Sequence, residues 1–178
     1  MIPEKTISEQ QVHNGKVLSF AVRQVELPDG SQAVREVAIN HGGVAIVALT
    51  HAGEVRLVRQ FRAASQSWVI ELPAGSLQPG EDPALGAVRE LAEETGDQAA
   101  SWRKLIGFYS APAILTEYIT IYLATGLTPG PSRPEADEFL ELLTVPFSEA
   151  LAMIERGEID DAKTIIGLLL ARQQGVTP

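Results

Sequence analysis

Residues 75–96 read GSLQPGEDPALGAVRELAEETG, and the arrangement of the rest of the chain follows from this stretch. Asp82-Pro83 predicts a helix start: the aspartate accepts from the unpaired backbone donors of a first turn, and proline loses nothing at a position whose N–H has no partner. Gly96 predicts its end about four turns later. At about 100° per residue, Ala84, Leu85, Val88, Leu91, Ala92 and Thr95 fall within one arc of roughly 120°, which the pattern assigns to the core. The opposite arc carries Glu90, Glu93 and Glu94 over a floor of Gly86 and Ala87. Like charges about 6 Å apart repel by roughly 0.7 kcal/mol in water and nearer 3 kcal/mol at an effective dielectric of about 20. Arg89, one turn before Glu93, offsets only one of the three. The stripe is therefore a set of oxygen donors suited to a hard divalent cation such as Mg2+ or Mn2+.

Upstream, VLSFAVRQVEL (residues 17–27) and SQAVREVAIN (residues 31–40) read as two strands joined by the turn sequence Pro28-Asp29-Gly30-Ser31. They predict an antiparallel hairpin segment over residues 1–42 ahead of a main domain at 43–178. VAIVALT and VRLVRQFR then flank His51-Ala52-Gly53-Glu54 as a second hairpin, followed by WVIEL. VAIVALT is apolar throughout, as a strand covered on both faces must be. Downstream, KLIGFYSA and YITIYLATGL read as strands, residues 128–138 as an acidic Pro/Gly loop, and FLELLTV as a last strand. Two helices close the chain, residues 148–156 stopped by Gly157 and residues 161–173 stopped by Gly175. Strands, helix, strands, helices is the order of a mixed sheet covered by helices, an α+β architecture.

Composition narrows the function classes. With 14 Lys+Arg against 23 Asp+Glu the 178 residues carry a formal charge of −9, which disfavours nucleic-acid binding. There is no cysteine, hence no disulfide, thiolate zinc site or cysteine nucleophile, which suits a reducing compartment and makes the cytoplasm the expected location. The N-terminal MIPEKTISEQ has no export pattern, and the apolar run Ile165–Ala171 is too short to cross a bilayer, so no membrane association is expected. His13, His41 and His51 lack metal-ligand spacing; neither a G-x-S-x-G elbow nor a P-loop ending is present.

Gly75, Glu81, Arg89, Glu90, Leu91, Glu93, Glu94 and Gly96 stand at fixed offsets that resemble the signature of the Nudix hydrolases: Gly, five residues, Glu, seven residues, Arg-Glu-aliphatic-any-Glu-Glu-any-Gly and an aliphatic residue. Seven fixed identities at about one in sixteen each recur by chance on the order of once in 10^8 starting positions. Asp97 departs from the pattern at its last place, where looser packing is expected. The resemblance implies an α/β/α sandwich around a mixed sheet and hydrolysis of a nucleoside diphosphate linked to another group. It implies that Glu90, Glu93 and Glu94 bind metal together with the Ala74 carbonyl, that Arg89 orients Glu93, and that Glu81 is an acid near the cluster.

The segments ELPAG (71–75), VRQFR (58–62), Gly157-Glu158-Ile159-Asp160 and Thr164-Ile165 resemble the ADP-ribose pyrophosphatase branch, as does the N-terminal hairpin, which in that branch mediates dimerisation. Pro112, sixteen residues past Gly96, and Glu117 match a further pattern of that branch; Ala113 departs from the glycine expected there. The resemblance implies hydrolysis of ADP-ribose to AMP and ribose 5-phosphate by a homodimer holding more than one Mg2+ or Mn2+ ion. Diphosphate hydrolysis needs charge neutralisation and a base within reach of the attacking water. The branch draws that base from a late loop, here Pro134–Glu138, with Glu138 the first candidate and Glu135 the second. Arg62, then Arg59, are candidates to grip phosphate or ribose, with Glu71, Glu117 and Pro112 as further substrate positions. Two alternatives stand: the same chemistry on another nucleotide sugar or a dinucleotide, and a non-catalytic nucleotide sensor.

Overall fold

The computed structural model describes residues 2–134 and 138–176. Two compact units make up the chain. In the first, β1 (Lys5–Asn14), β2 (Ser19–Glu26) and β3 (Gln32–Ile39) form an antiparallel sheet in the order β1-β2-β3. The expected hairpin is thus a three-stranded sheet. β1 escaped the sequence reading because all ten of its residues are exposed and it carries no alternating apolar face. The segment Phe108–Tyr118 belongs to the same unit. Its backbone joins β3 through Ala38 N–H to the Ile114 carbonyl at 2.8 Å and Thr116 N–H to the Ala38 carbonyl at 3.0 Å.

The second unit is built on a mixed sheet. It contains β4 (Gly43–Leu49), β5 (Glu54–Arg62), β6 (Ser67–Glu71), β7 (Ala74–Ser76), all but the last two residues of β8 (Gln98–Tyr109), all but the first of β9 (Tyr118–Thr128), and β10 (Glu141–Pro146). The path runs β10-β5-β4-β9-β8, with β6 paired to β5 and β7 to β4. The pairing of β4 with β9 is parallel and that with β7 antiparallel. Every residue of β4 is buried, as its unbroken apolar run requires of a central strand. Val44, Ile46 and Ala48 pack with Ala87 and Leu91 of α1 (Pro83–Thr95). The alternate residues of β4 face the opposite side, where a Cβ on Gly167 of α3 (Ala162–Gln173) would lie 3.2 Å from Val47 and 2.7 Å from Leu72. One helix on each face of one sheet is the expected α/β/α sandwich. α2 (Phe147–Glu155) follows β10 directly, and no helix among the described residues is long and apolar enough to cross a membrane.

α1 begins and ends as its sequence dictates. Asp82 accepts from Ala84 N–H at 2.7 Å, and Gly96 adopts φ 76° while donating back to the Ala92 carbonyl. Its orientation differs from the expected one. The buried residues are Gly86, Ala87, Glu90, Leu91, Glu94 and Thr95, whereas Leu85 is 68% and Val88 46% exposed. The helix is rolled so that part of the carboxylate stripe faces the protein. That roll is tolerated because partners for the acids converge from β7 and from Arg89 itself.

Candidate active site

The stripe meets β7 at a point made for it. The short run Pro73-Ala74-Gly75 brings its backbone against α1, and a Cβ on Gly75 would sit 2.1 Å from the Glu90 carboxyl carbon. With the Glu90 carboxylate in this position only glycine fits. Next to it, Ala74 N–H donates to Glu94 Oε2 at 3.0 Å.

Arg89 organises the other acids. Its Nη1 donates to Glu90 at 2.7 Å and to Glu93 at 2.9 Å; Nε and Nη2 donate to the two Glu81 oxygens, both at 2.9 Å, and Nη2 reaches the Ser76 carbonyl at 3.2 Å. Glu81 also accepts from Gln78 N–H at 2.8 Å. One guanidinium therefore holds three carboxylates in fixed orientation. Bonds from Arg89, then from Gln78 N–H, lower the Glu81 carboxyl below its ordinary value.

Glu90 and Glu94 behave oppositely. Burial pushes Glu90 up against the pull of Arg89, and burial pushes Glu94 up to about 8 in spite of the Ala74 bond. The charge of Glu138 adds to the rise at both, so this residue of the late loop lies within electrostatic reach of the two. Glu135 lies outside the described residues.

Among the described residues, no three acidic or histidine side chains converge on a single point as a ready metal centre. Glu81, Glu90 and Glu93 are drawn onto Arg89, and Glu94 onto the Ala74 amide. The donor chemistry nevertheless fits a hard divalent cation. All the donors are oxygens, two of them on buried carboxylates whose charge the surroundings leave undercompensated.

The other sequence candidates divide between the units. Arg62 is tied to Glu71 by Nε at 2.6 Å and Nη2 at 2.7 Å. Glu71, 2% exposed, also accepts from Lys163, which in turn donates to Asp161. Arg59 points to the other face of β5, 3.3 Å from Glu141 and 5.1 Å over the Trp68 ring, itself edge-on to Phe61. Pro112 and Glu117 belong to the first unit, where Glu117 accepts from Asn40 Nδ2 at 2.9 Å. Sequence reading missed Lys163 and Asp161. The available signal was Asp161 three residues before Thr164, an ordinary cap pattern for the last helix.

The NUDIX domain matches residues 39–167. The chain belongs to the Nudix family. The ADP-ribose pyrophosphatase of Bacillus subtilis is 39% identical over 165 residues, covering 92% of this chain and 89% of its own. The ADP-ribose pyrophosphatase of Mycobacterium tuberculosis is 40% identical over 169 residues, 93% of this chain and 81% of its own. A crystal structure of an ADP compounds hydrolase matches with a TM-score of 0.88 over 99% of this chain and 98% of that one; at 22% identity the likeness concerns the Nudix fold.

Asp97, where Nudix sequences carry an aliphatic residue, does not loosen the packing after the Nudix helix. It is buried and paired with Arg56 Nε of β5 at 2.8 Å, so a side chain from the sheet completes the departure.

Proposed function

We propose that this Nudix enzyme hydrolyses the diphosphate of ADP-ribose to AMP and ribose 5-phosphate. The observation that carries the reading is the cluster of Glu81, Glu90 and Glu93 around Arg89, with Glu94 under Ala74 and the charge of Glu138 in reach. The similarity to two ADP-ribose pyrophosphatases supports the substrate.

Glu90, Glu93, Glu94 and the Ala74 carbonyl would hold Mg2+ or Mn2+, more than one ion per site. When bound, such ions neutralise charge on the diphosphate oxygens and lower the pKa of water. The protein supplies the rest. Arg89 keeps Glu90 and Glu93 aimed, and Gly75 keeps the backbone close enough for Glu90 to stay under it. Glu138 takes the proton of the attacking water as its oxygen bonds to phosphorus and the bridging P–O bond breaks; Glu135 is the second candidate for that base. Arg62 grips a phosphate oxygen, with Arg59, Glu71, Glu117 and Pro112 the remaining substrate positions.

The working form in this reading is a cytoplasmic homodimer joined through residues 1–42, which precede the catalytic domain at 43–178. Exposed apolar side chains on that segment, Ile7, Val12, Val17, Leu18 and Val34, support it. Light scattering should give twice the 19.1 kDa chain mass, and a monomer at working concentration would remove the dimer.

The test of substrate is a panel of nucleoside diphosphate derivatives with Mg2+ and Mn2+ in 18O-labelled water, products read by mass. AMP and ribose 5-phosphate from ADP-ribose, one of them labelled, is the expected result. Faster turnover of another nucleotide sugar or a dinucleotide would reassign the substrate. Binding of ADP-ribose with no product would make the protein a sensor.

A further inference from the structure

Arg62 and the first turn of α3 are connected through one buried carboxylate. Glu71 Oε1 takes Arg62 Nε, and Oε2 takes both Arg62 Nη2 and Lys163 Nζ. Lys163 is bonded at 3.0 Å to Asp161, the cap of α3. Asp161 also accepts from Thr164 Oγ1 at 2.6 Å, and Thr164 Oγ1 accepts from Leu72 N–H at 2.8 Å. Glu71, Lys163, Asp161, Thr164 and Leu72 thus form a closed ring of contacts.

The ring has a directional consequence. Glu71 uses two of the three guanidinium nitrogens of Arg62 and leaves Nη1, on a side chain 44% exposed, facing away from the pair. A carboxylate gripped by arginine alone can rotate with it. Lys163, itself only 16% exposed, removes that freedom by fixing Oε2 to a helix terminus.

From this ring we infer that Lys163 is a positioning residue for substrate binding: by holding Glu71 against α3 it sets the direction in which Arg62 presents Nη1 to the diphosphate. The inference rests on the reading of Arg62 as a phosphate contact. Lys163 touches no substrate in this arrangement; it acts through Glu71 and Arg62. Its loss should therefore weaken ground-state and transition-state binding alike and appear in KM.

The experiment compares Lys163→Met, Lys163→Arg, Arg62→Ala and the double variant Arg62→Ala/Lys163→Met, with ADP-ribose and saturating Mg2+, checking folding by circular dichroism. Lys163→Met should raise KM about tenfold with kcat within about twofold of wild type, and Lys163→Arg should restore KM to within about threefold. The double variant should have no higher KM than Arg62→Ala alone, because the lysine acts only through the arginine. If Lys163→Met does not fold, Lys163→Ala, which also removes the donor to Glu71, takes its place with the same expectation. An unchanged KM in the lysine variant while Arg62→Ala raises KM overturns the positioning role and leaves the arginine contact standing. Additive effects in the double variant overturn it as well. An unchanged KM in Arg62→Ala removes the contact itself, and the inference with it.

Discussion

Gly75 and Glu138 affect the site by different means, one by having no side chain and one by its charge. A methyl group on Gly75 would lie 2.1 Å from the Glu90 carboxyl carbon, so the Glu90 side chain would have to swing away. Gly75→Ala should leave a folded protein with Glu90 displaced, and a misplacement on the order of 1 Å costs about 10^2 in kcat/KM. Steady-state kinetics together with an unchanged circular dichroism spectrum check this. Activity within a few-fold of wild type would mean that Glu90 can move without consequence. Glu138 raises Glu90 and Glu94 through its charge, which puts it within electrostatic reach of the carboxylate stripe. If Glu138 is the general base as proposed, Glu138→Gln should lower kcat by about 10^2 or more. An unchanged kcat, with a slow Glu135→Gln, would move the role to Glu135.

At the scale of elements, the segment just past α1 joins β5 through a pair that no local pattern announces. Arg56 bonds Asp97 at 2.8 Å and also reaches Thr144 of β10, so the residue after the Nudix helix is fastened to two strands. Restoring the family's aliphatic residue by Asp97→Leu should destabilise the protein, because Arg56, only 18% exposed, keeps its charge and loses its partner. The expected loss is roughly 3 kcal/mol, read from the urea midpoint at unchanged m-value, with the second substitution Arg56→Met recovering most of it. A neutral or stabilising single substitution would show that the pair contributes nothing.

At the scale of the whole molecule, Glu71 links the β5–β6 hairpin to the C-terminal helix, and its ionisation gives that link a pH signature. Burial opposes its charge, but the bonds from Arg62 and the charge of Lys163 outweigh burial and hold its carboxyl below the ordinary 4.5. A depressed folded pKa contributes stability that is fully present above the unfolded value and is lost as pH falls through the folded one. The stability gap between wild type and Glu71→Gln should therefore be constant above about pH 4.5 and narrow below it, measured by urea titration from about pH 3 to pH 7. A gap that stays constant to the acid end would mean that folding does not lower the Glu71 pKa. The spacing of residues 75–96 was enough to determine α1, its caps, its family and the identity of the clustered acids, since caps, apolar runs and a fixed motif are local in the chain. The unbroken run of β4 likewise marked it as the central strand. Tertiary structure decided the roll of α1, the strand β1, the pairing of Asp97 with Arg56, and the ring through Lys163. The roll, the Asp97–Arg56 pair and the ring depend on partners further away in sequence, whereas β1 pairs with the neighbouring β2 and lacks only an apolar face to announce it. A helix wheel places Leu85 and Val88 on the apolar arc, but burial goes to the face whose acids find Arg89, the Ala74 amide and a glycine-thin backbone, because hydrogen-bonded carboxylates can be buried where unpaired ones cannot.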